Sequence, residues 1–241
     1  MPADQIELLK GVVKPDTTGI TILLHGDPGT GKSFTADCVA DWARLPVVPL
    51  VVDRREDSPA TSLKQNVHSL FEVAKRCKGI VLIDHAELLL EKRTADAGER
   101  NSLVVTALRH LESFKGYVLL ITDRADSFDE KAKSMISLNI EFERPQGILQ
   151  RRLMHDFLGQ LAIGENPLQR PFELDANEDE IAYKLMKIID SGSGRGPSGR
   201  QIKAFFYSAA LLAAKDPDQT DKSRVRITLE HFKAVWNFHS R

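Results

Sequence analysis

Residues 26–33 read Gly-Asp-Pro-Gly-Thr-Gly-Lys-Ser and follow directly on an apolar, β-branched run, Ile20–His25. Glycines at 26, 29 and 31 free this stretch to take positive φ and to bring backbone N–H groups close to a ligand. The spacing G-x-x-x-x-G-K-S calls for a strand, a phosphate-cradling loop and a helix in that order. A helix over residues 33–44 would point the positive end of its dipole at the same phosphates. The Lys32 ammonium is suited to β- and γ-phosphates and the Ser33 hydroxyl to Mg²⁺. Asp27, Pro28, Gly29, Thr30, Gly31, Lys32, Ser33 and Phe34 are therefore the expected lining of a nucleoside triphosphate site.

Apolar β-type runs alternate with amphipathic stretches through residue 143. Strands are expected at Ile20–His25, Val47–Val52, Gly79–Asp84, Tyr117–Thr122 and Leu138–Phe142. Helices are expected between them at 33–44, 61–77, 97–114 and 128–135. In Thr61–Cys77 the apolar residues Leu63, Val67, Leu70 and Ala74 recur at spacings of three and four, a helical stripe. Such alternation implies a doubly wound α/β fold, a five-stranded parallel sheet with ligand at the carboxyl ends of its strands. After Arg144-Pro145 the strand pattern stops, and 147–162, 177–189, 198–215 and 228–238 all read as helices. The expected division is an α/β core over 1–144 and an all-helical domain over 145–241, with a Gly/Ser-rich loop at 191–199.

The charge balance, 33 Lys and Arg against 34 Asp and Glu, leaves a net charge of −1. No global field points to nucleic acid or an anionic membrane. The seven histidines lack metal-ligand spacing. Cys38 and Cys77 form no C-x-x-C pattern and are expected to be buried small hydrophobes. Asp4, Glu7 and Lys10 interrupt any apolar leader at the N-terminus, and no apolar run reaches the roughly 20 residues of a membrane span. A reducing, intracellular, cytoplasmic setting is the expectation.

Ile80-Val-Leu-Ile-Asp84 is an apolar strand ending in a carboxylate. In a parallel sheet Asp84 emerges at the same edge as the phosphate loop, where it can hold Mg²⁺ together with Ser33. Loop, acidic strand end and helical C-terminal domain together resemble an AAA+ ATPase, most closely the fungal-type AAA+ modules. The resemblance runs through Asp84–Arg93, Glu99–Val104, Leu119–Arg124, Ser127–Ile136 and Ser198–Lys203, in family order. It implies ATP or ADP as the nucleotide, Mg²⁺, a helical lid, and homo- or hetero-oligomers with a protein partner. Arg200 matches the lid arginine that reports γ-phosphate to the helical domain, and a guanidinium suits such bidentate contact.

Three positions depart from the family pattern. His85 stands where the family has a Glu that polarises the attacking water. An imidazole can accept a proton near neutral pH but lacks the carboxylate's shape and charge. Glu87 is a second candidate base, sharing a face with residue 85 if the strand continues; it also reads as an acidic residue opening a helix. Asp123 replaces a polar, usually Asn, residue that contacts γ-phosphate; a carboxylate there cannot donate and repels phosphate, whereas Thr122 can donate. Met135 replaces an arginine that reaches the neighbouring subunit's site. Lys131, Lys133 and Arg144 are the nearby cations, read equally well as surface charge.

The expected function is a slow Mg²⁺-dependent ATP hydrolase that couples nucleotide state to lid movement and to partners. The alternative is a catalytically impaired ATP-binding switch or scaffold. Lys32, Asp84, His85, Glu87, Asp123 and Arg200 carry the catalytic expectations, and Ser33 and Asp84 the metal. A small-molecule kinase shares the loop, but the helical tail with Gly199-Arg200 speaks against it. Asp53–Pro59 offers no aromatic to grip a polypeptide, which speaks against an unfolding motor.

Overall fold

The structure is a computed structural model that describes residues 3–13, 19–50, 60–94, 98–190, 196–216 and 225–239. It divides into two compact units, Met1–Glu143 and Arg144–Arg241.

The first unit runs α1 (Ala3–Val12), β1 (Ile20–Gly26), α2 (Lys32–Ala43), β2 (Val47–Pro49), α3 (Ala60–Cys77) and β3 (Ile80–Ile83). It continues with α4 (Glu87–Leu90), α5 (Gly98–Ser113), β4 (Tyr117–Thr122), α6 (Glu130–Ser134) and β5 (Leu138–Phe142). The five strands form one parallel sheet in the order β2-β3-β4-β1-β5. Strand periodicity divides the core between its two faces. Leu23, Val81, Ile83, Val118 and Leu120 turn to one face with Val67, Leu70 and Phe71 of α3, Leu89 and Leu90 of α4, and Leu103 and Val104 of α5. Ile22, Leu24, Ile80, Leu119, Ile121 and Ile140 turn to the other with Leu9 of α1 and Ala36, Val39 and Ala40 of α2. Burying both faces is what a parallel sheet requires, and it explains why β4 is apolar without alternation.

Helix α1 is an element that the sequence pattern did not yield. Leu9 and the following Val13 are each 1% exposed, a short apolar stripe among charged residues. Residues 51–59, which include the Asp53–Pro59 segment and the expected end of the second strand, lie outside the described residues.

The second unit comprises α7 (Gly147–Ile163), β6 (Phe172–Leu174), α8 (Glu178–Asp190), α9 (Gly199–Ala214), β7 (Val225–Ile227) and α10 (Leu229–His239). Its own core gathers Met154, Leu158, Leu161, Leu185, Phe205, Phe206 and Phe232. Ser198 caps α9 in a reciprocal box with Gln201, which fixes where that helix starts. The parallel pair β6–β7 adds strand to a unit that reads as helix throughout. Each strand has three residues, too few to register a period of two, and the pairing partners lie far apart in the chain.

Both cysteines correct an expectation: Cys38 and Cys77 are free and exposed. Cys38 is on the side of α2 opposite the buried Ala36, Val39 and Ala40, and Cys77 closes α3. No helix among the described residues is long and apolar enough to cross a membrane.

Candidate nucleotide site

Strand order places β4 between β3 and β1, so the ends of three neighbouring strands open at one edge. Gly26 ends β1 at φ 130°, paired in register with Phe142 of β5. A Cβ at Gly26 would lie 2.2 Å from the Phe142 carbonyl oxygen, so this position admits no side chain. Gly31 caps α2 at φ 102°, turning the chain from loop to helix. Thr30 Oγ1 donates to the Asp27 carbonyl at 2.8 Å and closes the loop on itself.

Lys32 is 6% exposed, and its ammonium is fully engaged. Nζ donates to the carbonyls of Gly26 and Asp27, each at 2.8 Å, and pairs with Asp123 Oδ1 at 2.6 Å. Three acceptors for three protons leave this buried charge satisfied. Ser33 Oγ donates to Asp84 Oδ2 at 3.2 Å, while Asp84 Oδ1 accepts the His85 N–H at 2.8 Å. Two hard oxygen donors from α2 and the end of β3 fit Mg²⁺, which takes few protein ligands and keeps waters. Among the described residues no group of three or more His, Cys, Asp or Glu side chains is assembled for a metal.

His85 and Glu87 meet, but not along a continuing strand. β3 stops at Ile83, and His85 takes φ 56°, a left-handed turn uncommon for a side chain other than Gly. The Ala86 N–H donates to Ile121 O at 2.9 Å, anchoring the turn to β4, and α4 begins at Glu87. The turn brings His85 Nδ1 within 3.4 Å of Glu87 Oε1. Glu87 is 7% exposed, and its Oε2 accepts the Thr122 hydroxyl at 2.6 Å. Thr122 Oγ1 in turn accepts the Arg124 N–H at 3.0 Å. The Thr122 proton is therefore committed to Glu87, which corrects the expectation that it is available to phosphate. Sequence reasoning missed this pairing because the two residues are 35 positions apart; the legible signal was only the polar residue ending an apolar β4.

Phe34 stands 74% exposed in the first turn of α2. Met135 packs against the first unit's core. Lys131 pairs with Glu112 at 3.0 Å and Lys133 with Glu130 at 3.1 Å, exposed pairs of little net strength. Arg144 and Arg200 belong to the second unit. Arg144 Nη1 donates to Gly196 O at 3.0 Å, and Arg200 is exposed in the first turn of α9. A separate cleft of about 730 Å³ is lined by Lys92, Arg93, Asn101, Asp129 and Lys131 among others, and shares no residue with the phosphate loop.

The sequence model of the AAA family, "ATPase family associated with various cellular activities", matches residues 22–144, just over half of the chain. Relatives include a putative 26S proteasome regulatory subunit homolog of Methanothermobacter marburgensis, 25% identical over 203 residues, covering 81% of this chain and 50% of the relative. A probable 26S proteasome regulatory subunit 4 of Caenorhabditis elegans is 26% identical over 223 residues, covering 88% of this chain and 45% of the relative. The chain thus spans about half the length of the curated relatives it matches. Among solved structures, the FIGL-1 AAA domain in complex with ADP aligns with TM-score 0.74 at 18% identity, over 100% of this chain and 82% of that one. A second, the E. coli MS115-1 HORMA:CdnC:Trip13 complex, aligns with TM-score 0.72 at 19% identity, over 98% of this chain and 86% of that one.

Proposed function

Taking as premise that this chain belongs to the AAA ATPase family, we propose that it binds ATP and ADP with Mg²⁺ and hydrolyses ATP slowly. The observation that carries the reading is the convergence of Lys32, Ser33, Asp84 and Asp123 at the ends of three adjacent strands. Backbone N–H groups of residues 29–33 would hold phosphate oxygens, and Ser33 and Asp84 would hold Mg²⁺, which supplies charge neutralisation when bound. His85 is the base, since its side chain is exposed whereas Glu87 is buried against Thr122 and His85. Glu87 orients the imidazole. Slow turnover follows from a base without carboxylate charge and from Met135 in place of a transition-state arginine. Such losses amount to roughly 10²–10⁴-fold and 10³–10⁵-fold respectively where measured in related chemistry.

Arg200 reads out the γ-phosphate and so couples nucleotide state to movement of the helical unit. The narrower placement among fungal-type modules rests on the five motifs in order, and a domain boundary at Arg144 on the end of the strand pattern. Likeness to proteasome regulatory subunits supports assembly into homo- or hetero-oligomers with a protein partner.

The test is nucleotide binding and steady-state phosphate release by four proteins. Lys32→Ala is expected to lose nucleotide binding by two orders of magnitude or more. His85→Glu is expected to release phosphate about 10²-fold faster than the slow wild type, and His85→Ala to fall below it. Wild-type affinity in Lys32→Ala would overturn the site assignment; unchanged release in both His85 variants would remove His85 from the reaction.

A further inference from the structure

The geometry points to Asp123 as a selector that makes this site prefer nucleoside diphosphate over triphosphate, an inference that rests on the nucleotide-binding reading above. Lys32 Nζ has three protons, and the structure gives each an acceptor: Gly26 O, Asp27 O and Asp123 Oδ1. The first two are backbone atoms of the loop. The third is a full negative charge, at 2.6 Å the shortest of the three. A γ-phosphate that reaches Lys32 must take the ammonium from that carboxylate and then sit beside it.

Two negative charges held within about 4–6 Å repel. At a partly exposed site this repulsion is worth a factor of ten or more in binding. Asp123 cannot escape it by donating, because a carboxylate only accepts. The Ala86 N–H bonded to Ile121 O and the Arg124 N–H bonded to Thr122 Oγ1 hold the backbone on both sides of Asp123. A diphosphate meets the loop N–H groups and Lys32 with its β-phosphate alone and brings no third phosphate beside Asp123. The Lys32 ammonium, with three protons, can then serve the β-phosphate and keep the Asp123 carboxylate at once.

The preference is directional and has a specific reversal. Replacing the carboxylate by an amide removes the repulsion and supplies an N–H donor for the γ-phosphate. The Asp123 side chain is 40% exposed, so the substitution does not disturb the core.

Calorimetric titration of the wild type, Asp123→Asn, Asp123→Ser and Lys32→Ala with ADP–Mg²⁺ and with the β,γ-imido analogue of ATP–Mg²⁺ tests this. The wild type is expected to bind ADP about ten-fold or more tightly than the analogue. Both Asp123 variants should cut that ratio by about ten-fold, chiefly by tightening the analogue. The same ratio in wild type and variants overturns the selector while leaving the nucleotide site standing. Weaker analogue binding in the variants also overturns it, because Asp123 would then attract the γ-phosphate through a cation. If the wild type binds neither nucleotide and Lys32→Ala changes nothing, the underlying reading fails and the selector with it.

Discussion

Asp129 illustrates how one side chain ties together segments the sequence keeps apart. It caps α6 by accepting the Lys131 N–H at 3.0 Å, and it accepts Arg93 Nε at 2.9 Å. Burial by itself pushes the carboxyl up, but the hydrogen bonds from Arg93 and Lys131 outweigh it and hold it below the usual aspartate range. A lowered folded-state pKa means the unfolded chain binds more protons in the intervening window, so stability rises with pH there. The contribution of Asp129 is fully present above about pH 4 and is lost as pH falls through its lowered value. Asp129→Ala is expected to cost about 1–2 kcal/mol at pH 7. Urea unfolding at pH 7 and in the acid limb should show the difference between variant and wild type shrinking as pH drops. A constant difference would mean the cap acts without its charge. At this scale the sequence was legible where geometry is local: the end of β3 brings Asp84 to Ser33 beside the loop, as the spacing implies. Thr122–Glu87 and Lys32–Asp123 were illegible as pairs, because only the sheet order brings their strands together.

Elements set those positions through register. β4 is flanked by β1 and β3 with His25 opposite Thr122 and Ile83 opposite Leu120. Alternate residues of β4 face α3, α4 and α5, and Thr122 continues the row of Val118 and Leu120 toward Glu87. The loop glycines divide by cause. At Gly26 a Cβ collides with the backbone carbonyl of Phe142, whereas at Gly31 nothing lies within 4 Å and only φ objects. Gly26→Ala is therefore expected to destabilise the protein by about 2–4 kcal/mol, and Gly31→Ala by about 1–2 kcal/mol. Chemical denaturation midpoints of the two variants check this ordering, and equal midpoints would refute the steric account. Helices with a full apolar stripe, such as α3, were predicted to within a residue at either end. The turn after β3 was not, since His85 takes a left-handed conformation that its residue type does not announce. The three-residue strands β6 and β7 escaped because each carries too few positions to set a period, whereas α1 does carry Ile6 and Leu9, followed by Val13, at helical spacing.

At the scale of the whole molecule, each unit closes its own core. The clusters around the five-stranded sheet lie within residues 9–142, and the cluster of α7–α10 within residues 154–235. Such units unfold as separate cooperative blocks when no large apolar surface joins them. Thermal unfolding is expected to resolve two transitions. A nucleotide held by the loop at a hundred times its dissociation constant should raise the first unit's stability by about 2.7 kcal/mol. Calorimetry with and without ADP–Mg²⁺ measures both, and a single transition shifted as a whole would show the two units to be one block.

The contact between Gly26 and Phe142 has a mechanical meaning. The first residue of the phosphate loop has no slack against the last residue of β5, and two positions further on the chain passes at Arg144 into the second unit. Loop and strand end are therefore in backbone-to-backbone contact, with no side chain between them as a cushion. Any side chain at the start of the loop would have to push the end of β5 aside, two residues ahead of Arg144.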